Sequence, residues 1–398
     1  TGFEFVGNAV HGATKWGVVV HHTNGSLVRD NVVFQAMGAG VMTEDGTETD
    51  NRFDHNLVIG IGGDGGGAES RANVQEFGTG GVGFWFQGPR NKVTNNVSAD
   101  TLQQGYILWG RDNPNEPLRE FRDNEALAAS IGVEIWFLGS YSADSVIDHF
   151  YEWHSGTAFY GYPSVRVSLQ DFTSRGDPAN LNPASYKTGV TFGDYSAPGA
   201  KLVRPDIQHK SYGIWVPYGN ASGGPEGERL FNIVGGQFLH NVWAVVSMTP
   251  GGSYPPTSQL PFHTVMTGVK LAANQKADIR RWFVPAQGSN LISSDTFDVY
   301  DHQGVKGDNY RVFYVQSAPD YVMPSGNWLG SQYAGGPNHT GLSNQEMWDR
   351  HKNAIAGAVA PCTTTRPEVV GFMCRSTQPP PQAVSLPSAP RNVRLVSN

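Results

Sequence analysis

The chain has 398 residues, of which 49 are glycine and only 16% are charged, whereas soluble proteins usually contain ~7% glycine and ~25% charged residues. A hydrophobic content of 39% with ten tryptophans excludes a disordered chain, because such a chain could not bury that much apolar surface. No uninterrupted apolar stretch approaches the ~20 residues of a membrane helix, and a net charge of −7 without a basic run argues against a nucleic-acid partner.

Two short sequence units recur at a nearly constant spacing from the N-terminus onwards. A glycine before apolar residues occurs in WGVVV at Gly17, AGVMT at Gly40, VGFWF at Gly83 and QGYIL at Gly105. An asparagine before a short apolar stretch occurs at four positions, Asn8, Asn31, Asn56 and Asn96. Both units repeat at about 23 residues, and such internal repetition is typical of stacked repeat architectures.

This repeat predicts a right-handed parallel β-helix. Glycine, asparagine and aspartate interrupt the chain too often for helical repeats, and propeller blades would repeat at ~40–45 residues. About 23 residues with three short strands is the length of one β-helix coil. Stacked coils supply each other with the core that one coil lacks, and equivalent turn asparagines would form a ladder. We expect roughly ten coils with loops decorating one long face.

Three segments depart from the regular repeat. An insertion of about 20 residues is expected between Asn56 and Gly83, where the period is broken by a glycine-rich run. Residues 113–132 have a helix-like composition and are expected to decorate one edge. Residues 133–315 predict further coils with longer loops, and residues 339–358 predict a short C-terminal helix that packs against the stack.

The rest of the chain predicts a modular organisation. Thr1 begins without a methionine or a signal peptide, and TGFEFVGNAV already has a strand pattern, so we expect a segment of a longer precursor. The predicted units are a β-helix domain over 1–335, a helix and disulfide segment over 336–375, a proline-rich linker over 376–390 and the start of a truncated domain over 391–398.

The two cysteines, Cys362 and Cys374, lie 12 residues apart. A zinc site would need more ligands at closer spacing. We expect a short-loop disulfide formed in an oxidising compartment, with two unrelated thiols as the alternative.

The N-terminal repeats also carry a family resemblance. The segment 3–62, with VRDNVVF (28–34), the acidic turn TEDGTETDN (43–51) and HNLVIG (55–60), resembles the β-helix core of the cell-migration-inducing hyaluronan-binding protein family. That family includes transmembrane hyaluronidases and fibrocystin-like proteins. GFWFQGPRNKVTNNVSA (83–99) and YGIWVPYG (212–219) resemble its later strands, and PSAPRNVRLVSN resembles the first strand of a fibronectin type III domain.

The resemblance implies an extracellular or type II membrane protein, and some members degrade hyaluronan in a calcium-dependent way. One motif differs. The Gly-His step that typically precedes the acidic turn corresponds to Gly38 and Ala39 in this sequence.

Aligning the repeated glycines predicts which side chains meet across the stack. His21 falls beside Glu44, and His22 falls beside Asp45. Gln87 and Trp109 occupy the same position after their own repeated glycines as His21 and Glu44 do. Strands of successive coils lie ~4.8 Å apart, so a strip of histidine, carboxylate and aromatic side chains should form on one face. Arg111 would lie near the lower end of this strip.

This mixture of residue types suits glycan chemistry. The candidate catalytic residues are His21, His22, Glu44, Asp45 and Arg111. Glu44, Asp45, Glu48 and Asp50 form a candidate calcium site, with a solvated acidic turn as the alternative. Gln87, Trp85 and Trp109 are candidate substrate-binding residues, although the tryptophans also suit a packed core. At least one of the two histidines is expected to be structural, because alternate residues of a strand point to opposite faces.

Two functions remain open at this point. The first is a secreted polysaccharide-degrading enzyme, a glycoside hydrolase or a lyase, acting on a uronate-containing glycan such as hyaluronan. The second is a non-catalytic glycan-binding or adhesive module of a multidomain surface protein. Calcium is the one expected cofactor, no organic cofactor is implied, and the expected partners are a polysaccharide and further domains of the same chain.

Overall fold

The computed structural model describes residues 2–63, 80–110, 116–140, 142–182, 187–192, 199–216, 230–248, 263–282, 297–300, 310–313, 362–364 and 372–375. They form three parallel sheets that wind into a right-handed parallel β-helix, and the predicted fold is confirmed. We number the strands β1–β34 along the chain and name the sheets A, B and C in the order in which each coil enters them.

Sheet A contains eleven parallel strands followed by three antiparallel ones. The parallel strands are β1 (Glu4–Val6), β4 (Leu27–Arg29), β7 (Arg52–Asp54), β10 (Lys92–Thr94), β13 (Glu120–Arg122), β16 (Ser145–Asp148), β19 (Val167–Gln170), β22 (Lys201–Val203), β25 (Leu230–Val234), β28 (His263–Thr267) and β31 (Phe297–Tyr300). The antiparallel strands are β32 (Tyr310–Phe313), β34 (Phe372–Arg375) and β33 (Cys362–Thr364).

Sheets B and C contain ten strands each. Sheet B is β2 (Ala9–His11), β5 (Val32–Phe34), β8 (Leu57–Ile61), β11 (Val97–Thr101), β14 (Glu125–Leu127), β17 (Tyr151–Trp153), β20 (Thr173–Arg175), β23 (Asp206–Gln208), β26 (Gln237–Leu239) and β29 (Lys270–Ala272). Sheet C is β3 (Val18–Val20), β6 (Val41–Thr43), β9 (Phe84–Gln87), β12 (Gln104–Trp109), β15 (Ile131–Gly139), β18 (Thr157–Val165), β21 (Thr188–Phe192), β24 (Tyr212–Val216), β27 (Trp243–Met248) and β30 (Ala277–Trp282). A short 3-10 helix spans Pro178–Asn180.

The asparagine ladder predicted from the sequence lies between sheets A and B. The Nδ2 of Asn31 donates to Oδ1 of Asn56 at 2.9 Å, Asn56 donates to Asn96 at 2.9 Å, and Asn96 donates to Asn124 at 3.0 Å. Each of these amides also donates to a backbone carbonyl, for example Asn96 to Phe53 at 3.0 Å. The ladder therefore satisfies buried polar groups of the turn and holds consecutive coils in one register.

The residue before each ladder position adopts a left-handed backbone conformation. Asp30, His55, Asn95 and Asp123 have φ between 55° and 58°, a region in which Asn, Asp and His are enriched among non-glycine residues. His55 is such a turn residue: its Nδ1 lies 2.6 Å from Asp30 Oδ1, and this hydrogen bond is the main reason that the pKa of the Asp30 carboxyl is lowered.

The repeated glycines lie where the next coil comes closest. A Cβ atom on Gly83 would lie 2.6 Å from the carbonyl oxygen of Gly105 and 2.0 Å from Ser98 Oγ, and one on Gly40 would lie 2.8 Å from the carbonyl of Gly83. At these positions a side chain would collide with the next coil, which explains why the glycine recurs in the first coils, whereas Ala158 and Ala244 take the equivalent position in later ones.

Residues 113–132 contain strands, so the helix-like decoration predicted for this segment is wrong. The described part of this segment holds β13, β14 and the start of β15, which form an ordinary coil. Phe121 and Ala126 fill the core, and Asn124 continues the ladder. The helix-like composition is overridden because the neighbouring coils offer strand partners on both sides.

The insertion agrees with the spacing of the strands. Met42 of β6 pairs with Trp85 of β9, whereas Val19 of β3 pairs with Met42, so one coil is longer than its predecessor by about 20 residues. Most of that segment, 64–79, lies outside the described residues. The predicted helix over 339–358, the linker over 376–390 and the segment 391–398 also lie outside them.

The cysteines lie on neighbouring antiparallel strands. β33 pairs with β34 so that the backbone of Cys362 is opposite that of Cys374. Their side chains lie outside what the structure describes, and the disulfide stays a prediction.

An ion pair lies fully buried inside the core. Glu152 occupies an inward position of β17, and its Oε2 lies 2.9 Å from Nζ of Lys210, with both side chains fully buried. Ser174 donates a hydrogen bond to Glu152 at 2.6 Å, and Lys210 donates to the Ser155 carbonyl at 3.0 Å. Burial lowers the pKa of Lys210, and Glu152 opposes that change. The pair ties together coils that are distant in sequence.

We expect Asn96→Ala to lower the free energy of unfolding by about 2–4 kcal/mol, because it leaves buried donors and acceptors of Asn56, Asn124 and Phe53 without partners. Chemical denaturation measures the change. Asn8→Ala is the matched control: Asn8 is exposed at the end of the ladder, and its loss should cost less than about 1 kcal/mol. Equal losses in the two variants would contradict a stabilising role for the buried ladder.

Lys210→Met should destabilise the protein by about 3–5 kcal/mol, because it leaves the Glu152 carboxylate buried without its cation. The double variant Glu152→Met/Lys210→Met removes both charges and should recover a large part of that loss. Denaturation curves of the single and double variants give the comparison. A double variant less stable than Lys210→Met would show that the charged pair itself stabilises the core.

Candidate functional site

The candidate site lies where the chain leaves sheet C in its first two coils. His21 and His22 follow β3, and Glu44 and Asp45 follow β6. Val20 pairs with Thr43, and the backbone N–H of Glu44 donates to the Val20 carbonyl at 3.3 Å. The parallel register therefore places the two histidines directly against the two acids, as the alignment of the repeated glycines predicted.

One imidazole nitrogen contacts both carboxylates. Nδ1 of His21 lies 2.9 Å from Glu44 Oε2 and 2.9 Å from Asp45 Oδ2, and Nε2 of His22 lies 3.1 Å from the same Asp45 oxygen. The two imidazole rings are stacked, with centroids 4.2 Å apart. His22 reaches this position through a left-handed backbone, with φ 48°. Both histidines thus point towards the acids, and neither has the inward structural position expected from strand alternation.

Glu48 has a different role from its neighbours. It is fully buried, and its carboxylate accepts backbone N–H groups of Gly46 at 2.8 Å, Asp45 at 3.1 Å and His22 at 3.2 Å. The same side chain therefore fixes the backbone of the acidic turn and that of the histidine coil. Sequence reasoning missed this role, because only the folded turn brings these amides around Glu48.

The four-carboxylate calcium site is not assembled. The carboxylate oxygens of Glu48 are taken up by backbone amides, and Asp50 is exposed and forms an ion pair with Arg119 at 3.2 Å. Calcium prefers 6–8 oxygen ligands, whereas the ligand atoms next to Glu44 and Asp45 are imidazole nitrogens. The expected ligand set of Glu44, Asp45, Glu48 and Asp50 does not fit the arrangement found.

The tryptophans predicted to bind substrate are packed against each other. Trp85 is 1% and Trp109 8% exposed, and with Trp136 they form a cluster of edge-to-face contacts whose centroids are 5.6–6.2 Å apart. Ala39, at the position of the family's Gly-His step, is buried in the same cluster. Buried rings offer no free face to a sugar, so this arrangement does not support stacking on Trp85 or Trp109.

Gln87 lies one coil below Glu44 and is fully buried. Among the residues that the structure describes, neither Oε1 nor Nε2 of its amide has a hydrogen-bond partner. A buried amide without partners is costly and is often explained by a bound ligand, ion or water. Arg111 lies outside the described residues.

Sequence reasoning also missed a buried carboxylate on the same face. Glu134 of β15 accepts hydrogen bonds from Gln104 Nε2 at 2.7 Å and from the indole of Trp136. It lies three coils from Glu44, roughly 14 Å at the usual strand spacing, which is too far for it to act on the same bond.

Two further features lie elsewhere on the stack. Asp148, His149 and Asp171 form a second histidine and carboxylate cluster. Phe34, Tyr151 and Trp153 are 36–45% exposed on the outer face of sheet B. Neither feature is marked by a motif in the sequence.

The described residues contain no helix with the length and apolar character of a transmembrane segment.

Comparison with known proteins supports the resemblance seen in the sequence. Fibrocystin-L of Mus musculus is 25% identical to the chain over 111 residues, and Fibrocystin-L of Homo sapiens is 26% identical over 111 residues. The matched residues are 28% of this chain but 2% of each relative. Residues 3–135 match the family model described as CEMIP beta-helix. The N-terminal part of the chain, residues 3–135, is therefore similar in sequence to the CEMIP β-helix.

Proposed function

We propose that the chain is the β-helix of an extracellular enzyme that cleaves a uronate-containing polysaccharide such as hyaluronan. The observation that carries the proposal is the contact of His21 Nδ1 with both Glu44 and Asp45 at 2.9 Å. The CEMIP family match over residues 3–135 includes all three residues.

The spacing of the two acids favours hydrolysis through a covalent intermediate. Their oxygens lie 2.9 Å from one nitrogen, so they are less than about 6 Å apart, which is below the ~6.5–9.5 Å of inverting glycosidases and leaves the retaining class, at ~5–5.5 Å. One carboxyl would protonate the leaving oxygen while the other attacks the sugar carbon and the glycosidic bond breaks. The first group, now a base, would then take a proton from a water molecule that releases the sugar from the covalent intermediate. His21 would exchange protons with the acid and base group.

The exposure of the site suits a polymer. His21 and His22 side chains are 53% and 68% exposed, whereas Glu44 and Asp45 are 28% and 30% exposed. A glycan chain can therefore lie across the histidines and present one linkage to the acids below. Gln87 is fully buried one coil below Glu44 and offers no exposed atom to such a chain.

An extracellular location is part of the proposal. The family match supports it, and the pairing of β33 with β34 brings Cys362 opposite Cys374, as a disulfide formed in an oxidising compartment requires.

The outer face of sheet B favours a second candidate, a glycan-binding module without catalysis. Phe34 and Trp153 are 43% and 45% exposed, and Phe34 lines a groove of about 590 Å³ with Asp100 and His154. Exposed aromatic faces next to polar groups are what sugar rings bind. In this case the histidine and acid contact would only stabilise the turn.

The two candidates are separated by incubating the whole chain with a panel of uronate-containing and neutral glycans. New reducing ends without the ultraviolet absorbance of an unsaturated uronate indicate a hydrolase, and both signals together indicate a lyase. Binding without either signal supports the second candidate, and Trp153→Ala should then weaken it.

For the enzyme, we expect His21→Ala and Glu44→Gln each to lower kcat/KM at least ~100-fold, the usual contribution of one acid-base group. The melting temperature should stay nearly constant, because both side chains are partly exposed. His149→Ala is the matched control, since it removes a histidine of similar surroundings far from the site. Full activity of His21→Ala would contradict the proposed mechanism.

A further inference from the structure

We propose that His21, His22 and Asp45 bind a divalent transition-metal ion, with Zn²⁺ as the probe, in place of the calcium ion that the family resemblance implies. Nδ1 of His21, Nε2 of His22 and a carboxylate oxygen of Asp45 lie within 4.8 Å of one another. The inference rests on the residues of the proposed function and concerns their regulation, because an ion bound there would occupy groups assigned to acid-base catalysis; it can be tested without any glycan.

The distances match the edges of a coordination shell. Two ligand atoms ~2.1 Å from one metal ion are ~3.4 Å from each other in a tetrahedral shell and ~3.0 Å in an octahedral one. Asp45 Oδ2 lies 2.9 Å from the His21 nitrogen and 3.1 Å from the His22 nitrogen.

The direction of these contacts distinguishes them from ordinary hydrogen bonds. Asp45 Oδ2 is buried, and within the described part of the chain no donor is aimed at it, although two imidazole nitrogens lie within reach. By contrast, the His55 and Asp30 pair in the same protein is a directed hydrogen bond of 2.6 Å. Three potential ligand atoms thus lie within 4.8 Å of one another, and the Asp45 oxygen among them has no hydrogen bond that a cation would have to replace.

The ligand atoms are held in place by the backbone around them. The buried Glu48 carboxylate binds the N–H groups of both His22 and Asp45, so one side chain fixes two of the three ligands. Such support from outside the ligand set is typical of protein metal sites. The left-handed backbone of His22 turns its ring beside that of His21.

The donor atoms select the metal. Two imidazole nitrogens and one carboxylate suit zinc and neighbouring first-row transition ions, whereas calcium and magnesium prefer oxygen ligands. Glu44 Oε2, 2.9 Å from the same His21 nitrogen, is placed to supply a fourth ligand.

The second cluster of the molecule lacks these properties and serves as an internal comparison. Asp171 in the Asp148, His149 and Asp171 cluster accepts two hydrogen bonds from the Arg204 guanidinium, at 2.7 and 2.6 Å. The guanidinium already supplies the positive charge there and would repel a metal ion. We expect no metal at this second cluster.

The test is isothermal titration of the chelator-treated whole chain with Zn²⁺ and, separately, with Ca²⁺, together with the visible spectrum of the Co²⁺-loaded protein. We expect one Zn²⁺ per chain, no displacement by Ca²⁺, and a cobalt spectrum that reports nitrogen ligands. His21→Ala and His22→Gln should each weaken Zn²⁺ binding by at least ~100-fold, and His149→Ala should leave it unchanged.

His22→Gln protects the test against misfolding, because the side chain is exposed and Gln35 already occupies a left-handed position in the same stack. Unchanged Zn²⁺ binding in either histidine variant, loss of binding in His149→Ala, or displacement of Zn²⁺ by Ca²⁺ would overturn the inference. Zinc binding without glycan cleavage by either the zinc-loaded or the metal-free chain would leave the metal site standing and refute the proposed enzyme. Full cleavage by a chain that binds no zinc would refute the metal site and leave the proposed enzyme standing.

Discussion

Every feature of this protein depends on the in-register hydrogen bonding between one coil and the next. Because side chains alternate along a strand, a slip of one residue would turn the core positions outwards. The buried asparagine ladder, the left-handed turn residues and the repeated glycines all act against such a slip. The candidate site inherits this constraint, since His21 meets Glu44 only if Val20 pairs with Thr43.

The same constraint decides what the sequence could predict. A repeat of about 23 residues implies parallel pairing, and parallel pairing implies which residues are neighbours, so both the fold and the contact of His21 with Glu44 followed from counting. The coil around Asn124 was misread because its alanine, leucine and glutamate residues favour a helix in isolation. Only the ladder partners of Asn124 reveal it as a turn.

Burial could not be predicted from the repeat. Alignment places Trp85 and Trp109 on the outer face of sheet C, but it does not show that neighbouring side chains cover them. The same limit applies to Glu48, whose residue type suits a calcium ligand and whose position makes it a buried acceptor of backbone N–H groups. Side-chain direction follows from register, whereas solvent exposure depends on packing between elements that the repeat does not describe.

Substitution of the glycines beside sheet C would affect the candidate site from a distance. Each lies four residues before a residue of the candidate site, as Gly17 does before His21 and Gly40 before Glu44. A side chain on Gly17 would meet the Gly40 carbonyl at 2.5 Å and would act as a wedge between the two layers that each supply half of the site. A change of Gly17 to alanine would thus move the histidines away from the acids. The site would lose its geometry although none of its own residues had changed.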